Sequence, residues 1–255
     1  MIFRFAEHED LPRVSKLLAA VDLPYQDIEG HISNFLLVEK DGELTGVIGI
    51  EILGNAALLR SLAVKETERN NGIGKTLVDK IMSYAQLNNV GKMFLLTTTA
   101  SEFFQKIGFV GIDRAQVPLE MKSTEEFKNI CPLSAVCMRQ EIGKKVKFCT
   151  KDILRLKEDV PGAKMWGISL EKTMFTYFEV QPNSVFDSHT HESEQITMVL
   201  EGVLYFDVNG KIHPVKSGEV IALPSNIIHS VFTKESSAKA VDAWYPIMNK
   251  YKNMG

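Results

Sequence analysis

Two groups of residues in this chain have the types and spacings that do chemistry. The first is Arg69-Asn70-Asn71-Gly72-Ile73-Gly74. It follows Ala57-Leu58-Leu59-Arg60-Ser61-Leu62-Ala63-Val64, a run of branched apolar residues short enough for a buried strand. It precedes Ile73, Leu77, Ile81 and Ala85, which recur every four residues as one face of an amphipathic helix. A glycine-containing turn that opens a helix leaves the first backbone N–H groups unpaired and pointing outward. The helix dipole adds partial positive charge there, so the turn suits a phosphate or pyrophosphate. Spacing narrows the ligand. In a P-loop ending at Gly74-Lys75-Thr76 the first glycine would fall on Arg69, and a dinucleotide fingerprint would need a third glycine where Leu77 stands. Both fail. The second group is His189-Thr190-His191 with His229. Two histidines separated by one residue lie on the same side of an extended chain, and a third from a neighbouring strand completes a pocket for a divalent metal.

The elements that must position these groups fall into two halves with different grammar. Up to about residue 140 strands alternate with helices: a strand at Ile2 to Phe5, a helix from His8 to Val21 with Pro12 early in it, and strands at Phe35 to Glu39 and Leu44 to Leu53 joined by the Asp41-Gly42 turn. After the Leu58 strand, the loop and its helix come a strand from Met93 to Thr98 and a short helix from Ser101 to Ile107 closed by Gly108. Beyond Gly143-Lys144-Lys145 the pattern becomes short strands separated by turns. Met174 to Val180, Gln195 to Leu200, Val203 to Val208, Glu219 to Leu223 and Ser230 to Thr233 alternate with Pro182, Gly202, Asn209-Gly210, Gly218 and Pro224. Such spacing predicts an antiparallel barrel or jelly roll. The expected domains are 1–141 and 146–255.

At 255 residues, 45% hydrophobic and 24% charged, the composition is that of a soluble globular protein with room for two domains. A net charge of −3 gives no electrostatic case for nucleic acid or an acidic membrane. No apolar run reaches membrane-spanning length, and the first ten residues lack the layout of a signal peptide. Cys131, Cys137 and Cys149 are odd in number and not in metal-type pairs, which predicts reduced core residues and a cytoplasmic location.

The first half, from Ile2 to about Arg139, resembles the GNAT N-acetyltransferases. The resemblance rests on the Arg69-to-Gly74 turn with Leu62 and Val64 just before it, and on Ala100-Ser101-Glu102-Phe103-Phe104-Gln105-Lys106-Ile107-Gly108-Phe109, a short helix ending in Gly-Phe. The segments Leu58 to Val64, Leu95-Leu96-Thr97-Thr98-Thr99, Asp113-Arg114 and Cys131-Pro132-Leu133-Ser134-Ala135 are similar to the branch of that family found in arsenic-resistance settings. The resemblance implies an α+β acyl-CoA fold with a mixed, mostly antiparallel sheet, and acetyl-CoA as cofactor. Leu62, Ala63 and Val64 would lend backbone groups to the pantetheine arm and one N–H to the thioester carbonyl. The amides of Arg69, Asn70, Asn71, Gly72, Ile73, Gly74 and Lys75 would hold the pyrophosphate, with Phe103 and Phe104 beside the arm. Many relatives carry a tyrosine where Phe104 stands, and Phe104 has no proton to give. Glu51, at the outer end of its strand, is the candidate base, or else a solvated carboxylate. Arg60 pairs either with an anionic acceptor or within a structural ion pair, and His31 either lines the acceptor side or is structural. The acceptor class is a small-molecule amine.

The second half, over about residues 146–245, resembles the cupins. His189-x-His191, then Gln195, then Gly202 follow the spacing of the first cupin motif, with Gln195 at the acidic position and Glu194 beside it on the opposite side of the strand. Gly218, Pro224 and His229 follow the second, with Asn226 where a glycine is usual, Thr233 for the closing Asn and Asn183 for the opening Gly. This implies an all-β cupin jelly-roll barrel whose metal ligands are His189, His191, Gln195 and His229. A neutral glutamine leaves Zn²⁺, Ni²⁺, Mn²⁺ and Fe²⁺ comparable. The reading that joins the halves is an acetyl-CoA-dependent N-acetyltransferase with a metal-binding regulatory or dimerising cupin domain, assembled as a homodimer. The alternatives are a metal- or metalloid-responsive binding protein with a catalytically weak first half, and a cupin metalloenzyme (isomerase or dioxygenase) with a CoA ligand.

Overall fold

The computed structural model of the chain describes residues 1–143 and 146–251. Lys144 and Lys145, at the expected domain boundary, and residues 252–255 lie outside the described residues. Contacts divide the chain into two compact units, Met1–Ile153 and Leu154–Gly255. The division falls after the expected one because the segment that follows the first sheet stays with the first unit: Lys80 Nζ binds Asp152 at 2.5 Å. Among the described residues no helix is long and apolar enough to cross a membrane.

In the first unit the chain runs β1 (Ile2–Phe5), α1 (Leu11–Ala19), β2 (Phe35–Lys40), β3 (Glu43–Leu53), β4 (Ala56–Val64), α2 (Ile73–Leu87), β5 (Lys92–Thr97), α3 (Ser101–Lys106), β6 (Val110–Ile112), α4 (Leu119–Lys122) and β7 (Val136–Glu141). Seven strands form one sheet in the order β1-β2-β3-β4-β5-β7-β6. All its pairings are antiparallel except β4 with β5. The helix expected over His8 to Val21 is shorter. His8–Asp10 is a 3-10 turn, and the helix closes where Leu23 N–H returns to Leu18 O at 3.0 Å across Asp22, whose φ is +57°. Ile73, Leu77, Ile81 and Ala85 of α2 are all buried, against Leu36, Ile48, Ile50 and Leu59 of the sheet. Each fully buried Leu or Ile contributes roughly 1.5–3 kcal/mol.

A polar clasp ties the chain's start to this sheet. Asp10 takes two hydrogen bonds from Arg4, at 2.6 and 2.8 Å, and a third from Glu7 N–H at 2.9 Å. Arg4 holds the Asp10 carboxyl down to about 2 from an ordinary 3.8, against the effect of burial. A depressed carboxyl stabilises the fold above its unfolded pKa and loses that contribution as pH falls through the folded one. Asp10→Asn therefore costs about 1 kcal/mol near pH 7, given partial screening of the half-buried Arg4. Urea melts of the two proteins should converge below pH of about 2.

The second unit is all β: β8 (Lys157–Val160), β9 (Ala163–Ser169), β10 (Met174–Val180), β11 (Val185–His189), β12 (Glu194–Glu201), β13 (Val203–Val208), β14 (Lys211–Lys216), β15 (Val220–Leu223), β16 (His229–Phe232) and β17 (Ala238–Tyr245). They form a six-stranded sheet, β15-β12-β17-β10-β9-β8, and a four-stranded one, β11-β16-β13-β14. The expected cupin jelly roll is present as two antiparallel sheets packed around one core, and no ladder joins their edges among the described residues. Alternation decides which residues face that core: on β12 Gln195, Thr197 and Val199 are buried while Ile196, Met198 and Leu200 are exposed. At Gly202 a Cβ would lie 2.1 Å from Ser237 O and the φ is +74°, so the turn from β12 to β13 accepts glycine alone.

Candidate functional site

The first unit has a cleft built from main chain. β4 pairs with β5 over Ala56–Leu58, and beyond Leu58 the edge that faced β5 has no strand partner among the described residues. A bulge drives the separation: Val47 and Gly49 of β3 oppose Ala63 and Arg60, so one β3 residue faces both Ser61 and Leu62, and Ser61 has φ +55°. Leu62, Ala63 and Val64 therefore present main-chain groups along an open edge. The loop that follows is pinned to this edge by Arg69 Nε, which donates to Val64 O at 3.2 Å.

Two left-handed residues, Asn70 at φ +64° and Gly72 at +77°, turn the chain into α2. Gly72 is the N-cap and its side is open space. The first helical bond from this cap is Thr76 N–H to Gly72 O at 3.0 Å. Among the described residues, the N–H groups of Asn71, Gly72, Ile73, Gly74 and Lys75 find no acceptor. They form a row of donors at the positive end of a 15-residue helix. A Cβ on Gly74 would meet Phe103 at 3.7 Å and Val64 at 3.8 Å, which brings α3 and the β4 edge to the same loop. Phe103 is half-buried there. Phe104 turns inward instead, buried edge-on between Phe103 and Phe109, and forms wall rather than cleft surface.

Glu51 and Arg60 come together, but with each other. Arg60 is fully buried, and its three nitrogens reach Glu51, Asp27 (2.7 Å) and Glu126 (3.3 Å). No face of the guanidinium is left for the carboxylate of an acceptor. Burial works against the Arg60 charge, but Glu126, Asp27 and Glu51 together hold its pKa above the usual value. Glu126 is pushed up by burial against the pull of Arg60, and the Cys131 thiol donates to it at 3.0 Å. Burial and that carboxylate raise Cys131 to about 12, leaving an unreactive thiol. Glu51 would have to break its ion pair to accept a proton, so the cluster reads as structural. His31 lies in a 3-10 turn, Glu29–Asn34, and is half-exposed. Arg60→Met strands three carboxylates around an apolar side chain and should cost about 3–5 kcal/mol in chemical denaturation. Glu51→Gln keeps a hydrogen bond to Arg60, and any acetyl-transfer kcat should fall less than about tenfold; loss of a true general base costs about 10²–10⁴.

The second unit gathers all three expected histidines. β11 pairs with β16 so that His189 stands opposite His229, and His191 follows two residues on. Their candidate ligand atoms lie within 4.8 Å of one another. Each ring is fixed by its Nδ1–H, donated to a carbonyl close by in sequence: His189 to Asp187 O (2.7 Å), His191 to Ser193 O (2.6 Å), His229 to Ile227 O (3.0 Å). That tautomer leaves each Nε2 as a bare lone pair. His229 Nε2 is buried with no partner, and His191 Nε2 faces the side-chain oxygen of Gln195 at 3.2 Å, acceptor against acceptor. Burial, joined by the nearby His189 and His191, pushes the His229 pKa down and so disfavours the charged ring. Four acceptors with no proton among them fit a cation, and three imidazoles with an amide oxygen form a borderline donor set suited to a divalent transition metal. Asn226 and Asn183 both adopt positive φ, +61° and +58°, in the places where a glycine is usual. Behind the histidines is a cavity of about 40 Å³ walled by Phe178, Phe186, Phe206, Val231 and Trp244, with Gln195, Thr197 and Asp242 as polar lining. That volume holds about three waters.

Comparison with known proteins agrees with this division. The acetyltransferase (GNAT) domain family matches residues 31–111, and the cupin domain family matches residues 176–244. An uncharacterized N-acetyltransferase of Chlorobaculum tepidum is 33% identical over 113 residues, which make up 44% of this chain and 70% of that protein. The chain belongs to the GNAT N-acetyltransferases. It is thus an acyltransferase by family, with a cupin domain joined to the GNAT domain. An acireductone dioxygenase of Phaeosphaeria nodorum is 36% identical over 75 residues, 28% of this chain and 42% of that protein. The N-acetylglutamate synthase of Neisseria gonorrhoeae, solved with coenzyme A and N-acetyl-glutamate, aligns with a TM-score of 0.50 and 20% identity over 56% of this chain and 35% of that one. At that identity the likeness shows the fold. The chain spans less than half the length of these last two proteins.

Three polar residues of the cupin domain escaped the motif reading. Thr176 and Thr197 flank Asp242 on the two strands beside β17, directly opposite it in register, and all three are buried. Their signal was available in the alternation, as polar residues at inward positions between Met174 and Phe178, between Gln195 and Val199, and between Ala240 and Trp244. Burial raises the Asp242 carboxyl to about 7 against the hydrogen bonds it receives from Thr197, Gln195 and Thr176.

Proposed function

We propose that the GNAT domain transfers an acetyl group from acetyl-CoA to a small amine, and that the cupin domain holds a divalent metal as a regulatory or dimerising module. One observation carries the first half of this reading: the unpaired N–H groups of Asn71 to Lys75 at the start of α2, beside the open β4 edge. The pyrophosphate sits on that row, and the pantetheine amides extend the sheet along Leu62, Ala63 and Val64. A neutral amine attacks the thioester carbonyl, the oxyanion is held by a β4 N–H, and the C–S bond breaks. The amine nitrogen loses one proton to water and CoA departs as its thiolate. With Phe104 in the wall and Glu51 bound to Arg60, rate enhancement comes mainly from holding amine and thioester together.

The acceptor is read as a cationic or neutral amine because the Arg60 cluster carries three carboxylates for one guanidinium, which gives an anionic acceptor no counter-charge. In the cupin domain, His189, His191, His229 and Gln195 would hold Zn²⁺, Ni²⁺, Mn²⁺ or Fe²⁺, which would supply Lewis acidity with positions open to a small ligand. A homodimer is supported by the outer face of the six-stranded sheet, where Ile196, Met198 and Val220 are exposed on the adjacent strands β12 and β15 and Phe175 on β10 beyond β17. Free cysteines support a cytoplasmic setting. The narrower likeness to the arsenic-resistance branch rests on the sequence segments alone. A second reading, with the cupin cavity as a metalloenzyme site, draws on the histidine cluster and the dioxygenase relative. Calorimetric titration with acetyl-CoA tests the main reading: one site per chain is expected, and absence of binding at millimolar ligand contradicts it.

A further inference from the structure

The four candidate metal ligands are not equally secured. Each histidine has its tautomer set by a main-chain carbonyl, but the Gln195 amide has two ends of nearly the same shape and opposite function. Its oxygen binds a cation, and its NH₂ group does not. The end that faces the histidines is decided by a hydrogen-bond chain leading away from them. Gln195 Nε2 donates to Thr197 Oγ1 at 2.9 Å, and the Thr197 hydroxyl donates to Asp242 Oδ1 at 2.6 Å. Asp242 is held as an acceptor from its other side as well. The Trp244 indole N–H, which can only donate, occupies the Thr176 oxygen at 2.8 Å, so the Thr176 hydroxyl proton is directed to Asp242.

We infer that Asp242, directly and through Thr197, orients the Gln195 amide so that its oxygen completes the metal ligand set. Thr197 and Asp242 are then positioning residues of the cupin metal centre. The register makes this possible, since Thr197 lies directly opposite Asp242 and two residues from Gln195 on the same face of β12. The chain is needed because Gln195 is a glutamine: a carboxylate offers oxygen at both ends and has no wrong orientation. It also works against a local preference. Without Thr197 as acceptor, only the bond to Asp242 holds the amide against turning its NH₂ toward the bare His191 Nε2 now 3.2 Å from its oxygen. That flip would block the cation at two ligands at once.

The inference rests on the metal reading above, and one series of variants separates the two. Full-length wild-type protein, Thr197→Val, Thr197→Ser, Gln195→Glu and the Gln195→Glu/Thr197→Val pair are titrated with Co²⁺, followed by calorimetry and by visible ligand-field absorption. Thr197→Val is close to isosteric, and thermal melts of the metal-free proteins report folding separately. The expected result is a loss of about 10–100-fold in Co²⁺ affinity for Thr197→Val with a changed absorption band, and recovery in Thr197→Ser. In the Gln195→Glu background Thr197→Val should change affinity less than about threefold. Unchanged affinity in Thr197→Val overturns the inference, and so does an equal loss in both backgrounds, which would place the effect in the fold rather than in the amide's orientation. A wild-type protein that binds no Co²⁺ contradicts the metal reading itself and takes the inference with it.

Discussion

Gly72→Trp should weaken acetyl-CoA binding by about 100-fold or more, equivalent to about 2.7 kcal/mol, with the fold of the GNAT domain retained. Two effects act together. Gly72 caps α2 at φ +77°, a conformation that L side chains rarely adopt, so any side chain strains the turn that presents the Asn71-to-Lys75 amides. A Cβ there meets nothing within the protein, so an indole projects into the space in front of the helix start, where the pyrophosphate would sit. The hydrophobic face of α2 (Ile73, Leu77, Ile81 and Ala85) is untouched, which is why the loss should fall on binding rather than on stability. Calorimetry with acetyl-CoA, paired with a thermal melt, checks both halves of the expectation. Equal affinities for the two proteins would mean that the ligand does not use this loop.

His189→Ala should lower the affinity for divalent metal by more than about 100-fold. A direct ligand is lost, whereas removal of an outer-shell partner already costs 10–100-fold. His189 is the exposed member of the cluster, so its truncation leaves the core of Phe178, Phe206 and Trp244 in place. The readout is the melting temperature with and without Zn²⁺. At metal concentrations of about 100 times Kd the wild type gains roughly 2.7 kcal/mol. His189→Ala at the same concentration should gain little. A wild-type melting curve indifferent to every divalent metal would contradict the assignment of the cluster.

How much of this was legible in the sequence follows from how local each signal is. The Arg69-to-Gly74 turn could be read because its information lies within six residues: left-handed positions at Asn70 and Gly72, then a helix with an apolar repeat. The His-x-His pair was equally local, and the third ligand followed from the spacing of glycine and proline before His229. Strands with clean alternation, such as Met174–Val180 and Val203–Val208, matched to the residue. The strand Lys211–Lys216 escaped notice because its alternation is interrupted by Pro214, tolerated there on a sheet edge.

Arg60 shows the opposite case. Its type suggested chemistry, but its role depends on Asp27 and Glu126, 33 and 66 positions away, brought together only by the fold. The same holds for Asp242, whose partners Thr176 and Thr197 come from two other strands. Closure of the jelly roll is likewise illegible locally, since the alternation along each strand says nothing about whether the outer strands β8, β15, β11 and β14 find one another.

The central claim is that this protein is a working acetyltransferase whose chemistry needs no side-chain acid. It is tested most directly by thiol release from acetyl-CoA in the presence of a panel of small amines. The account predicts turnover that saturates with at least one amine, persists in Glu51→Gln and disappears in Gly72→Trp. Binding of acetyl-CoA with no thiol released above the rate of hydrolysis for any amine would contradict it, and would leave a metal-responsive binding protein in its place.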